Sequence, residues 1–193
     1  MQKSTNKTLL LLLTVAISVF CGTPVSSAQT LTEKLGYKKD DILLIINNDD
    51  AGMCHAANLG TMKGMSEGLI TSATIMFPCG WSSAIVEFAK NNPDKDFGVH
   101  LTLTSEWKHY KWGTVAPPQQ VSSLLDENGY MYRGVMDVYQ HGDPEHAYLE
   151  GKAQIEKALS YGLPVTHIDS HMGTYQLHPA YIEQYVRLAK EYN

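Results

Sequence analysis

The chain has 193 residues, three of them cysteines, and a net charge of −5, which fits one domain of ordinary size without a disulfide-built scaffold. Affinity for a phosphate backbone rests on Lys and Arg, so 15 basic against 20 acidic residues argue against a nucleic-acid partner and suit a neutral or cationic one.

Lys3 and Lys7 open a basic start, Leu9 to Phe20 is an apolar run, and the small residues Ser26-Ser27-Ala28 precede Gln29. This is the layout of a secretory signal peptide over residues 1–28, cut after Ala28. The apolar run is well short of the roughly 20 residues that span a bilayer. The expectation is a secreted or periplasmic protein with no stable membrane insertion after cleavage. Lipid attachment at Cys21 is the less favoured alternative, because bulky Phe20 stands where a small residue belongs. Cleavage removes Lys3 and Lys7 and no acid, taking the net charge from −5 to −7, and leaves Cys54 and Cys79, enough for one disulfide.

The portion from 29 to 193 reads as one domain that alternates short apolar runs with helical patterns, the rhythm of βα units and a parallel sheet. Ile42 to Ile46 predicts a strand buried on both faces. A helix follows over Ala56–Leu69, with Gly60, Gly64 and Gly68 spaced to form a smooth packing ridge. Ile70–Phe77 predicts a second strand, Ser82–Asn91 a helix and Phe97–Leu103 a third strand. Residues 104–144 lose periodicity and carry Pro117-Pro118 and Asn128-Gly129, so they read as an irregular insertion of the kind that serves as a functional loop or cap. Glu145–Tyr161 returns to helix, Val165–Ser170 is a fourth strand, and Pro179–Tyr192 a helix opening on proline. Four βα units fall short of the eight of a closed barrel. The fold class is therefore α/β with parallel strands, as an open sheet or as part of something longer. Association into a homo-oligomer is left open.

Active sites of parallel α/β folds gather at the carboxyl ends of the strands. There the first strand gives Asn47-Asn48-Asp49-Asp50, the third His100, and the fourth His167, Asp169 and His171. Side by side, Asp49 and Asp50 repel unless a cation lowers both pKa values, or they serve as an acidic cap on the following helix. His100 alone reads equally as a core histidine. His167, Asp169 and His171, spaced by two, project from one strand face, and three ionisable groups stacked there are costly to bury in a plain core. A catalytic zinc site takes three protein ligands, often two His and a carboxylate, and leaves one position for water; a second carboxylate off the metal then takes a proton. Asp50, His100 and His171 fill the ligand roles and Asp49 the base.

The runs NNDDAGMCHAAN, TSATIMF, GVHLTLT and THIDSH, in that order from about Ile42 onward, resemble the YdjC-like family of carbohydrate deacetylases, which is similar to the polysaccharide deacetylases in fold and metal site. The resemblance implies a partial or distorted (β/α) barrel with several C-terminal βα units missing, one divalent ion (Mg or Zn), and removal of acetyl groups from N-acetylated mono- or oligosaccharides. By position, Asp49 matches the base, Asp50 the carboxylate ligand, and His100 and His171 the histidine ligands. Many relatives continue the last motif with further histidines where this chain has Gly173 and Tyr175. Substrate contacts are accordingly sought at Asn58, His167, Asp169 and His178; Asn58, at the start of the first helix, reads equally as a residue that positions the Asp loop or as a plain helix cap. The alternative is a secreted sugar- or metal-binding protein on the same fold without turnover, against which the retained Asp49 speaks. A phosphoesterase ranks third, because residues 47–58, 98–104 and 166–175 contain no Arg or Lys to clamp a phosphate.

Overall fold

The computed structural model describes residues 28–192, so the leader expected over 1–28, with Cys21, lies outside the described residues except for Ala28. The chain divides into two compact units between Leu44 and Ile45. The described part of the first holds one short helix, α1 (Leu31–Lys34). It is closed by a capping box in which the Thr30 hydroxyl accepts the Glu33 amide and the Glu33 carboxylate accepts the Thr30 amide. No helix among the described residues is long and apolar enough to cross a membrane.

The second unit is built on four parallel strands, β1 (Asn47–Ala51), β2 (Ser72–Ile75), β3 (Asp96–Leu101) and β4 (Ile168–Ser170), paired in the order β1-β2-β3-β4. The helices between them are α2 (His55–Glu67), α3 (Ser82–Asn91), α4 (Val135–His141) and α5 (Pro144–Ser160), and α6 (Pro179–Glu191) follows β4. Sequential order without a reversal is the winding of a (β/α) barrel rather than of a doubly wound sheet, which has a switch point. Here the sheet stays open, with β1 and β4 at its edges.

In-register neighbours of a parallel sheet point the same way, and the pairing sorts the two faces. Ala73 pairs with Phe97, Ile75 with Val99, and Val99 with Ile168, which makes one face apolar. Ile75, Phe77, Val99 and Leu101 are fully buried in the main core, together with Ile85 and Val86 from α3 and Ile155 and Ala158 from α5. Each of these large side chains, Ala158 apart, stabilises the fold by roughly 1.5–3 kcal/mol. The other face carries Asn47, Ser72, Thr74, Gly98, His100 and Asp169, and it is polar. The strands are therefore apolar on the helix side only.

Three expectations shift. The first strand begins at Asn47, not Ile42: a strand needs a ladder partner, and only Ile46 finds one, through the Thr71 amide. Ile42, Leu44 and Ile45 remain exposed. The glycine ridge does not form, because Gly60 meets nothing, while Gly64 gives room to the Ile70 side chain, which would lie 2.2 Å from an added Cβ. The segment 104–144 is structured. It contributes buried Trp112, Val121, Leu124, Met131 and Val138, a one-turn 3-10 helix at Ser122–Leu124, and α4. Its turn at Asn128-Gly129 is fixed by the Asp126 carboxylate, which accepts the Asn128 and Tyr130 amides. Cys54 and Cys79 are both free thiols, so the one disulfide they allowed is not formed.

Candidate metal centre

Adjacent strand residues normally face opposite sides. Asp49 and Asp50 escape this because the register of β1 breaks between Asn48 and Ala51 and Asp50 takes a left-handed backbone, φ 62°. A bulge re-aims a side chain in this way, and a non-glycine residue held at positive φ costs on the order of 1–3 kcal/mol, which the surroundings must supply. Met172, directly after His171, is the other non-glycine residue at positive φ among those described, φ 53°. Both strained positions flank the same cluster. The loop after Asp50 is braced by Asn58, whose amide accepts the Gly52 N–H at 2.7 Å and donates to the Trp81 carbonyl at 3.0 Å. Helix α2 is capped by Cys54, with no acid in its first turn, so the acidic-cap reading of the Asp pair fails.

Asp50, His100 and His171 meet at the carboxyl ends of β1, β3 and β4. Asp50 Oδ1 lies 3.2 Å from His100 Nε2 and 3.1 Å from His171 Nδ1, and the two nitrogens are 3.3 Å apart. Bonds of about 2.0–2.1 Å to a tetrahedral zinc set ligand edges of about 3.3–3.4 Å. An octahedral magnesium with similar bonds sets edges of about 2.9–3.0 Å. Edges of 3.1–3.3 Å fall between the two cases, so the triangle has the size for a single small divalent ion of either kind. Both histidines are nearly buried, and each remaining ring nitrogen has a carboxylate: Asp169 on His100 Nδ1, and Glu106 at 3.1 Å on His171 Nε2.

Charge follows the same geometry. Hydrogen bonds from His100 and His171 hold the Asp50 carboxyl far below the usual carboxylate range. Burial opposes a charged imidazole at His100, yet hydrogen bonds to Asp169 and Asp50 outweigh it and raise its pKa to about 9. His171 is likewise raised, burial being overcome by Asp50 and Glu106. Asp49 moves the other way from Asp50: burial and the neighbouring Asp169 carboxylate raise it, against His100 and the Asn47 amide, which donates to Asp49 Oδ1 at 2.7 Å. Asp49, His100 and Asp169 form a second close triplet of donors sharing His100 with the first.

The remaining expected contacts are placed as follows. Asp169, besides contacting His100, accepts from Thr74 and Asn47. Asn58 is buried and spent on the loop brace. His167 lies towards the opposite end of the sheet, where its Nε2 is 3.2 Å from the Ser72 hydroxyl, in an open cleft of about 510 Å³. Its ring crosses Gly98, where any Cβ would sit 2.5 Å from the His167 carbonyl. His178 caps α6 through the Ala180 amide and packs on Tyr139 and Tyr181. Glu106 was not anticipated. The even positions His100, Thr102 and Thr104 carry the signal, because continued alternation by two reaches Glu106 on the same face.

The model of a family described as YdjC-like protein matches residues 43–193. The chain belongs to the YdjC-like family. A carbohydrate deacetylase of Brevibacillus brevis is 37% identical over 149 residues, 77% of this chain and 56% of the relative. A carbohydrate deacetylase of Thermus thermophilus is 34% identical over 162 residues, 84% of this chain and 55% of the relative. A crystal structure from Enterococcus faecalis, assigned as a cellobiose-phosphate cleavage protein, superposes with a TM-score of 0.71 at 30% identity, covering 77% of this chain and 55% of that one. The chain thus spans a little over half the length of the curated relatives it matches, in keeping with a sheet that is not closed.

Proposed function

We propose that this protein acts as a metal-dependent carbohydrate deacetylase, hydrolysing the acetyl amide of an N-acetylated mono- or oligosaccharide. The observation that carries the reading is the triangle of Asp50 Oδ1, His100 Nε2 and His171 Nδ1, with edges of 3.1–3.3 Å. Deacetylase relatives in the same family support the reaction class. Asp50, His100 and His171 would hold one divalent ion, Mg or Zn. Such an ion, when bound, polarises a carbonyl and makes water more acidic.

Asp49 has the chemistry of the general base. Its carboxylate is aimed by the Asn47 amide, which donates to Asp49 Oδ1 at 2.7 Å, and it stands beside the triangle without being part of it. It takes the proton of the water that attacks the acetyl carbonyl and passes it to the sugar nitrogen as the C–N bond breaks. Acetate and the free amine of the sugar are the products. Asp169 keeps His100 oriented.

The test is Asp49→Asn, which keeps size and shape but cannot accept the proton. Acetate release from an N-acetylated oligosaccharide should fall by about 10²–10⁴-fold. Bound zinc, measured on the same samples, should stay at the wild-type level. Unchanged acetate release would remove Asp49 from the mechanism, and loss of zinc would mean that the two aspartates exchange roles.

A further inference from the structure

We infer that Glu106 is a positioning residue that selects which nitrogen of His171 faces the ion, an inference that rests on the metal reading above. A neutral imidazole that presents one nitrogen to a metal keeps its proton on the other, and an acceptor there favours that tautomer. Metal-binding histidines therefore commonly donate the far N–H to a carboxylate or carbonyl. His171 points Nδ1 into the triangle, and Nε2 lies 3.1 Å from Glu106 Oε2. With Glu106 as the acceptor, the proton is fixed on Nε2 and the lone pair on Nδ1. Asp169 gives the mirror arrangement on His100, leaving Nε2 to the triangle. The two histidines thus present unlike nitrogens, and each choice is set by its own carboxylate.

Glu106 leaves a clamped stretch of backbone rather than a loose loop. The Thr104 carbonyl accepts the Trp112 indole N–H at 2.9 Å. The Ser105 amide donates to the Tyr132 carbonyl at 2.8 Å, and the Ser105 hydroxyl accepts the Trp112 amide at 3.1 Å. Trp112, Thr104 and Ser105 are all buried. Trp112 and Tyr132 of the 104–144 segment thus hold the backbone that carries this carboxylate. The segment's other contribution is a buried face against the core, which does not require an acid at 106.

Two measurements test this. In the zinc-loaded protein labelled with 15N, long-range correlation spectra distinguish the coordinated ring nitrogen from the N–H nitrogen; for His171 these should be Nδ1 and Nε2, respectively. Zinc titration against a competing chelator should show Glu106→Ala weakened by about 10–100-fold, the usual loss when an orienting partner of a metal-binding histidine is removed. Glu106→Gln, whose amide oxygen still accepts the N–H, should recover most of that loss. A His171 bound through Nε2, or a Glu106→Ala Kd equal to wild type, overturns the role of Glu106 while leaving the metal site intact. Failure of the wild-type protein to take up zinc or magnesium overturns the metal reading and this inference together. Where Glu106→Ala does not fold, a wild-type spectrum with Nε2 coordinated still overturns the inference, and zinc affinity of Glu106→Leu, which keeps bulk but offers no acceptor, replaces that of Glu106→Ala.

Discussion

The polar face of the sheet carries histidine and carboxylate at both ends, and the two ends differ in geometry rather than composition. At the carboxyl rim, His100 and His171 are nearly buried, and all four ring nitrogens have a partner at contact distance. At the other end, His167 shares the face with Ser72 and Asp96, yet its Nδ1 is 3.8 Å from the Asp96 carboxylate and both side chains are substantially exposed. A histidine next to an acid is thus no sign of a metal site by itself. What marks the rim is a common focus: three donors from three strands at 3.1–3.3 Å, with the far nitrogens held and the backbone strained at Asp50.

Substitution of one histidine at each end should break the comparison open. His171→Ala removes one of the three ligands proposed at the rim, so zinc affinity should fall by more than the ~10–100-fold expected for a lost orienting partner, and acetate release should fall to background with it. Retention of both would place the ion elsewhere.

A smaller effect is expected behind the rim. On α5, Gln154 accepts the Thr102 amide and donates to the Thr102 carbonyl, and it also donates to Glu150. Glu150 in turn accepts the Val115 and Ala116 amides. This wholly buried pair holds the chain two residues beyond His100. Burial pushes the Glu150 carboxyl up to about 7 from its ordinary 4.5, despite those hydrogen bonds. A folded pKa above the unfolded one gives stability that is fully present below about pH 4.5 and is lost as pH rises through 7. The loss is on the order of 3 kcal/mol at 1.36 kcal/mol per unit. Urea unfolding at pH 5 and pH 8 should show wild type losing stability relative to Glu150→Gln over this window. A wild type that gains relative to the variant would contradict the burial argument.

The smallest effect belongs to the other end. His167→Ala should leave zinc affinity within about twofold and change stability by about 1 kcal/mol, the worth of an ordinary hydrogen bond. A large loss of zinc there would erase the distinction between the two ends.

The parts of this picture that were legible in the sequence are those that repeat a short period or a fixed motif. Asp50, His100 and His171 stand at strand ends in a parallel α/β pattern, and topology alone then brings them to one rim. The start of β1 was not legible, because Ile42 to Ile46 has strand composition and composition does not say where a neighbouring strand begins. Helix α4 was hidden because Val135–His141 is only seven residues and is entered through Gly134. The place of Asn58 in bracing the Asp loop was open to a sequence reading, but the role of Asp169 depends on Asn47, Thr74 and His100, residues up to 122 positions away. Such pairings follow from the register of strands, which no local pattern contains. Glu106 lay one alternation beyond the point where the apolar strand signal stopped.

The most direct measurement is an anomalous-difference map at the zinc edge from crystals of the zinc-loaded protein. The account predicts one peak, bonded to Asp50, to Nε2 of His100 and to Nδ1 of His171. A peak between Asp49, Asp169 and His100 instead, or no peak near His171, would contradict it.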